Sequence, residues 1–215
     1  MLVIVLIIIV LLLIHRFKNV RIKWKTFMKK GFAPKRKKYG VYCYCGKQGK
    51  GKTYSVVEFL KQQPSDIKIY ANIKTLKGIN YTYFEGFEEL LKITDTNCII
   101  VYDEIFTALT KGTKMTTDVL SFLSQMRKRE IIFLTTAQEW LEINITLRRY
   151  CRYQIECSMH NFLGIGLLIK SMYDAEQMKW SQEDNEYIAP LIETTVSKCN
   201  VSVANSYDTF EEIKT

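Results

Sequence analysis

Leu2 to Ile14 are thirteen consecutive Leu, Ile and Val residues, followed at once by His15, Arg16, Lys18, Arg21, Lys23 and Lys25. An unbroken apolar run with basic residues on one flank predicts a membrane anchor over residues 1–17. Each residue of the run contributes about −0.3 to −0.6 kcal/mol to insertion, roughly −4 to −8 kcal/mol together. As a helix the run reaches only about 20 Å against roughly 30 Å of hydrocarbon, so it must thin the bilayer or borrow Phe17 and a snorkelling Arg16. A secretory signal peptide has an apolar region of this length, but here the basic residues follow the run and no small-residue cleavage site comes after it. The flank predicts a single-pass protein with its main domain in the cytoplasm. Residues 18–38 read as a basic linker along anionic headgroups, with Trp24 at interface depth.

From residue 39 the pattern changes to short alternating or apolar runs separated by amphipathic stretches. Tyr39–Cys45 predicts a strand, Thr53–Lys61 a helix with Val56, Val57 and Leu60 on one side, and Ile67–Asn72 a second strand. Phe84–Ile93 predicts a helix with Phe87, Leu90 and Leu91 inward, and Thr116–Met126 another. Cys98–Tyr102 and Ile131–Thr136 read as strands buried on both faces. Strands and helices alternate to about residue 150, the pattern of a parallel sheet covered on both sides. Tyr150–Met159, Gly164–Tyr173 and Tyr187–Val196 are β-rich and are expected to extend that sheet as antiparallel edge strands. The fold class expected is therefore α/β: a mostly parallel sheet with helices on both faces, antiparallel edge strands near the C-terminus, and an N-terminal transmembrane helix. Residues 39–215 form its one domain.

Charge sharpens this division. The chain has 31 Lys and Arg against 22 Asp and Glu. Fourteen of the basic residues lie in residues 1–57, where no acid occurs, so residues 58–215 are net acidic. The formal charge of +9 thus belongs to the N-terminal region and is not the footprint of a basic domain that wraps nucleic acid. Six cysteines occur without a Cys-x-x-Cys, which argues against a zinc site and for reduced thiols in the core.

The chemistry concentrates at strand ends. Gly46-Lys47-Gln48-Gly49-Lys50-Gly51-Lys52-Thr53 matches G-x-x-x-x-G-K-[ST] between a predicted strand and a predicted helix, the context the motif requires. Glycines let backbone N–H groups converge on phosphate oxygens, and the helix N-terminus adds partial positive charge. Gly46 to Thr53, with Tyr54, are the expected ATP-binding residues: Lys52 for the β and γ phosphates, Thr53 for Mg²⁺, with Lys47 and Lys50 left solvated. Asp103 and Glu104 end a buried strand, Asp103 suited to hold Mg²⁺ and Glu104 to act as general base. Gln138, with Thr136 as second choice, is the candidate beside the γ-phosphate; the plainer reading of Gln138 is a polar residue starting a helix. Arg148 or Arg149 is the candidate arginine finger for a neighbouring subunit, with Arg127-Lys128-Arg129 as the other cluster. Either cluster could instead meet nucleic-acid phosphate or cap a helix C-terminus.

The ordered set of the glycine loop, Cys98 to Glu104, Ser124 to Arg129, Thr135-Thr136-Ala137-Gln138 and Leu147-Arg148-Arg149-Tyr150 resembles the HerA/FtsK-like ATPase superfamily of P-loop NTPases. Within it the chain resembles two groups: genome-packaging ATPases of membrane-containing tailless phages such as tectiviruses, and zonular occludens toxin-like assembly ATPases of filamentous phages. The ending Ala204-Asn205-Ser206-Tyr207-Asp208-Thr209 resembles the terminal motif of such small viral ATPases. The resemblance implies a homo-oligomeric ring, expected to be a hexamer, that hydrolyses ATP with Mg²⁺ and drives DNA through a membrane-associated portal. It also implies capsid or portal-vertex partners, at a virion internal membrane or a packaging vertex. A membrane scaffold switched by nucleotide without turnover is the contrasting expectation.

Overall fold

The computed structural model describes residues 20–22, 39–110, 112, 114–182 and 186–208. The apolar run Leu2–Ile14 and most of the basic stretch after it lie outside these residues. Among the described residues no helix is long and apolar enough to cross a membrane.

Among the described residues the chain folds into a nine-stranded sheet; the periodicity predicts all of its strands but Val20–Ile22 and Thr82–Tyr83. Strands β1 (Val20–Ile22), β2 (Gly40–Cys45), β3 (Lys68–Ala71), β4 (Thr82–Tyr83), β5 (Cys98–Tyr102), β6 (Ile132–Ala137), β7 (Cys151–Phe162), β8 (Ile165–Asp174) and β11 (Leu191–Lys198) take the order β1-β11-β8-β7-β2-β6-β5-β3-β4. A separate hairpin pairs β9 (Lys179–Ser181) with β10 (Glu186–Ile188). Neighbours from β7 through β4 run parallel, while β7, β8 and β11 pair antiparallel.

Each inner strand divides its side chains between two cores, as the period of two requires. Cys98, Ile100 and Tyr102 of β5 join one cluster, and Ile99 and Val101 join the other. The first cluster is closed by helices α2 (Gly86–Leu91), α3 (Thr117–Gln125) and α4 (Ile145–Tyr150), through Leu90, Phe122 and Leu147. The second is closed by α1 (Lys52–Leu60) and α5 (Val201–Ala204), through Val56, Val57, Leu60 and Val203. Along α3 and its C-cap, Val119, Phe122, Leu123 and Met126 recur at helical spacing and are all buried, Phe122 edge-on to Phe133 at 5.9 Å. Thr116 starts this helix by accepting the Val119 N–H at 3.4 Å. All six cysteines are free and five are buried; burial pushes the Cys98 and Cys157 thiols up to about 11.

Three expectations need correction. Of the late β-rich stretches, β7 is parallel to β2, not antiparallel, because α4 first carries the chain back to the end of the sheet where β2 starts: Cys151 pairs with Val41. The stretch Tyr187–Val196 is split, since Pro190 has no N–H for a ladder and its carbonyl instead accepts the Asp174 N–H at 2.9 Å. Finally, β11 is not an edge. Val20–Ile22, within the stretch read as linker, pairs with it in parallel.

Candidate nucleotide site

The glycine loop leaves β2 at its C-terminal tip and enters α1. Gly46 donates its N–H to the carbonyls of Ala137 and Gln138, at 3.3 and 3.1 Å, which ties the loop to the tip of β6. Gly46, Gly49 and Gly51 all have positive φ, at 148°, 74° and 85°. The loop also lies against the β7–β8 ribbon: a Cβ on Gly46 would meet the Cys157 carbonyl oxygen at 2.7 Å. The first bond of α1 runs from the Ser55 N–H to the Gly51 carbonyl at 2.9 Å. The N–H groups of Lys52, Thr53 and Tyr54 therefore have no partner inside the helix and are available to an anion at its N-terminus.

Side chains converge on the same spot. Lys52, 9% exposed, donates from Nζ to the Gly46 and Lys47 carbonyls at 2.8 and 3.3 Å, closing the loop around its own ammonium. Thr53 donates to Asp103 Oδ2 at 3.0 Å, although fifty residues separate them. Asp103 is 4% exposed, and Thr136 donates to its other carboxylate oxygen. Burial pushes the Asp103 carboxyl above its usual value, while the Thr136 and Thr53 hydroxyls and the Lys52 charge pull it back. Glu104, partly buried, is raised by burial and by the Asp103 charge, with Lys52 opposing. A raised carboxyl is better matched to taking a proton from water. Because β6 lies between β2 and β5, its tip stands between the loop and this acidic pair.

The donor set suits Mg²⁺. Thr53 Oγ1 and Asp103 Oδ2 are adjacent oxygen ligands beside the cradle, and Mg²⁺ takes few protein ligands, completing its shell with water and phosphate oxygens. Among the described residues, no group of three or more His, Cys, Asp or Glu could hold a metal by itself.

Other candidates fall less simply. Lys47 and Gln48 are exposed, and Lys50 is half-buried. Tyr54 turns its side chain into the second core, 2% exposed, where its phenol oxygen accepts the Asn200 N–H at 2.6 Å; only its backbone faces the loop. Thr136 is wholly buried and bonded to both acids, accepting the Glu104 N–H at 2.8 Å, so it braces the carboxylates and does not face open space. Gln138 is exposed and, with Gly46, Lys47, Trp140 and Glu156, lines a cavity of about 450 Å³ beside the loop. A larger groove of about 990 Å³, between α2 and α3, contains none of the predicted site residues except Arg129 of the second arginine cluster.

Both arginine clusters sit at the other end of the sheet, where β2 and β6 begin. Arg127 pairs with Glu176, Arg129 donates to the Asp95 carbonyl at 2.9 Å, and Arg148 stacks on Tyr187 at 5.6 Å. Arg149 is exposed. The six residues of β2 separate these groups from the cradle of the same chain, roughly 20 Å of strand. The polar residue that sequence reading passed over is Asn72, just past β3, which bonds the Asp103 backbone in both directions.

No protein-family model matches the sequence, and no curated protein does. Among solved structures, the N-terminal domain of zonular occludens toxin from Neisseria meningitidis is 18% identical, with a TM-score of 0.53, over 79% of this chain and 98% of that one. The genome packaging NTPase of Sulfolobus turreted icosahedral virus 2, in complex with AMPPCP, is 10% identical, with a TM-score of 0.49, over 70% and 96%. Flagellar accessory protein FlaH from Methanocaldococcus jannaschii is 12% identical, with a TM-score of 0.43, over 74% and 88%. At such identities a likeness speaks for fold, and only the first of the three overlaps well enough to do so. The described residues from Tyr39 on thus form a mostly parallel α/β sheet with antiparallel strands on one side and a glycine loop at a strand tip, a fold similar to that of the zonular occludens toxin N-terminal domain.

Proposed function

We propose that the chain is a membrane-anchored, ATP-hydrolysing motor that moves DNA, serving the packaging of a viral genome. One observation carries the ATPase part. Lys52, Thr53, Asp103 and Glu104, from one helix start and one strand tip, meet at a glycine loop whose N–H groups can hold phosphate. In this reading the loop and the N-terminus of α1 bind the phosphates, and Lys52 moves from the loop carbonyls onto the β and γ oxygens. Mg²⁺, held by Thr53 and Asp103, would neutralise charge developing on the phosphates. Glu104 takes the proton of the attacking water as its oxygen bonds to the γ-phosphorus and the bond to ADP breaks. Gln138, at the mouth, is the group that meets the γ-phosphate. Exposed Arg149, at the far end of the sheet, suits action on a neighbouring subunit's nucleotide in a ring.

The motor part rests on the resemblance of the ordered motifs, the anchor on the run Leu2–Ile14, and DNA, a hexameric ring and a capsid or portal-vertex partner on the same resemblance. A second reading, an assembly or export ATPase of the filamentous-phage type, is supported by the fold shared with the zonular occludens toxin domain. ATP hydrolysis by the full chain in detergent is expected to rise on adding double-stranded DNA. Stimulation by coated single-stranded DNA alone would favour the second reading, and indifference to both would contradict the motor.

A further inference from the structure

We propose that Asn72 is a positioning residue for hydrolysis, one whose side-chain amide holds the Asp103–Glu104 turn so that the Glu104 carboxylate faces the attacking water. The inference rests on the ATPase reading above. Asn72 follows β3 directly and is 3% exposed. Its Oδ1 accepts the Asp103 N–H at 2.7 Å, and its Nδ2 donates to the Asp103 carbonyl at 3.1 Å. The backbone pairing of β3 with β5 ends one step earlier, at Ala71 and Val101. One side-chain amide, which carries both donor and acceptor, thus extends the β3–β5 ladder to the residue bearing the metal-site carboxylate.

The opposite flank is held from β6, where Thr136 Oγ1 accepts the Glu104 N–H at 2.8 Å and donates to the Asp103 carboxylate. Between these restraints Glu104 takes φ 56° and ψ 48°, a left-handed conformation that side chains with a Cβ avoid. Such a conformation persists only where the surroundings over-determine it, and such places cluster at functional sites. Asn72 holds the Asp103 backbone and Thr136 the Glu104 N–H, while the Thr107 hydroxyl donates to the Glu104 carbonyl at 2.8 Å from the far side of the turn. Without Asn72, the Asp103 N–H and carbonyl are left buried and unpaired, and the turn gains a reason to relax and swing Glu104 away.

The loop that carries Asn72 is itself firmly seated. Ile73 and Leu76 are buried in the second core with Val203, and the Lys77 N–H donates to the Ser206 carbonyl at 2.7 Å. The C-terminal motif, which the catalytic scheme leaves without a task, therefore braces this loop from outside.

The test compares the full-length wild type with Asn72→Ala and Asn72→Asp in detergent micelles with Mg²⁺. It measures kcat for ATP, affinity for a fluorescent non-hydrolysable ATP analogue, and melting temperature. Asn72→Asp is the isosteric variant that keeps the acceptor for the Asp103 N–H and loses the donor, so it guards against a variant that fails to fold. The expectation is a kcat lower by about 10- to 100-fold in both variants, with analogue affinity unchanged. An unchanged kcat in Asn72→Asp overturns the inference, as does a loss of analogue affinity and melting temperature in step with kcat, which marks a merely structural role. A wild type that binds the analogue and never hydrolyses ATP overturns the ATPase reading beneath it.

Discussion

At the scale of single residues, the glycine loop is defined by what its neighbours forbid. A Cβ on Gly46 would come within 2.7 Å of the Cys157 carbonyl oxygen, a backbone atom of β7 that cannot step aside. At Gly49 a Cβ meets nothing within 4 Å, and the only penalty is its φ of 74°, about 1–2 kcal/mol for a non-glycine residue. Gly46→Ala is therefore expected to lower both melting temperature and nucleotide affinity more than Gly49→Ala does, and thermal melts with and without an ATP analogue check the order. The loop, Asp103 and Glu104 were legible in the sequence because their chemistry demands fixed residue types at fixed spacing after apolar runs. Asn72 was not. In the sequence it reads only as the last residue of the strand Ile67–Asn72, and its partner is 31 positions away. The ribbon residues Cys157, Met159 and Leu168, which press on Gly46 and Gly51, were hidden for the same reason: only pairing register brings them to the loop.

At the scale of elements, the inner strands and α1, α2 and α3 were legible because each has a periodic apolar face long enough to count. The direction of β7 was not, since it depends on α4, where Leu147 is buried and, unlike Phe87 and Leu91 beside Leu90 in α2, no second apolar side chain packs on the core to print a period. The terminal helix α5, four residues long, was equally silent, yet it is fastened to the nucleotide helix. The Tyr54 phenol accepts the Asn200 N–H, and Lys61 donates to the Ser202 carbonyl at 2.7 Å. Tyr54→Phe removes that acceptor while leaving the ring packed, so it is expected to destabilise the fold by about 1–3 kcal/mol, the range for an unsatisfied buried donor. Denaturant titration measures this. A change near zero would mean that α5 does not hold α1 through this bond.

At the scale of the molecule, the candidate nucleotide site and the arginine clusters sit at opposite ends of one sheet. The cradle, Asp103 and Glu104 lie at the tips of the parallel strands, and the arginine clusters lie where those strands begin. That polarity suits a head-to-tail ring, in which one subunit's starting edge faces another's nucleotide. In such a ring each site would still use its own Glu104 to activate water, whatever the neighbour adds. Hydrolysis accordingly depends on that carboxylate. Replacing it by Gln keeps the shape and removes the base. The measurement is ATP hydrolysis alongside ATP binding for wild type and Glu104→Gln. The variant is expected to bind ATP as tightly as wild type while its turnover falls by about 10²- to 10⁴-fold. Hydrolysis at the wild-type rate by Glu104→Gln, or a wild type that releases no phosphate, would contradict this role for Glu104.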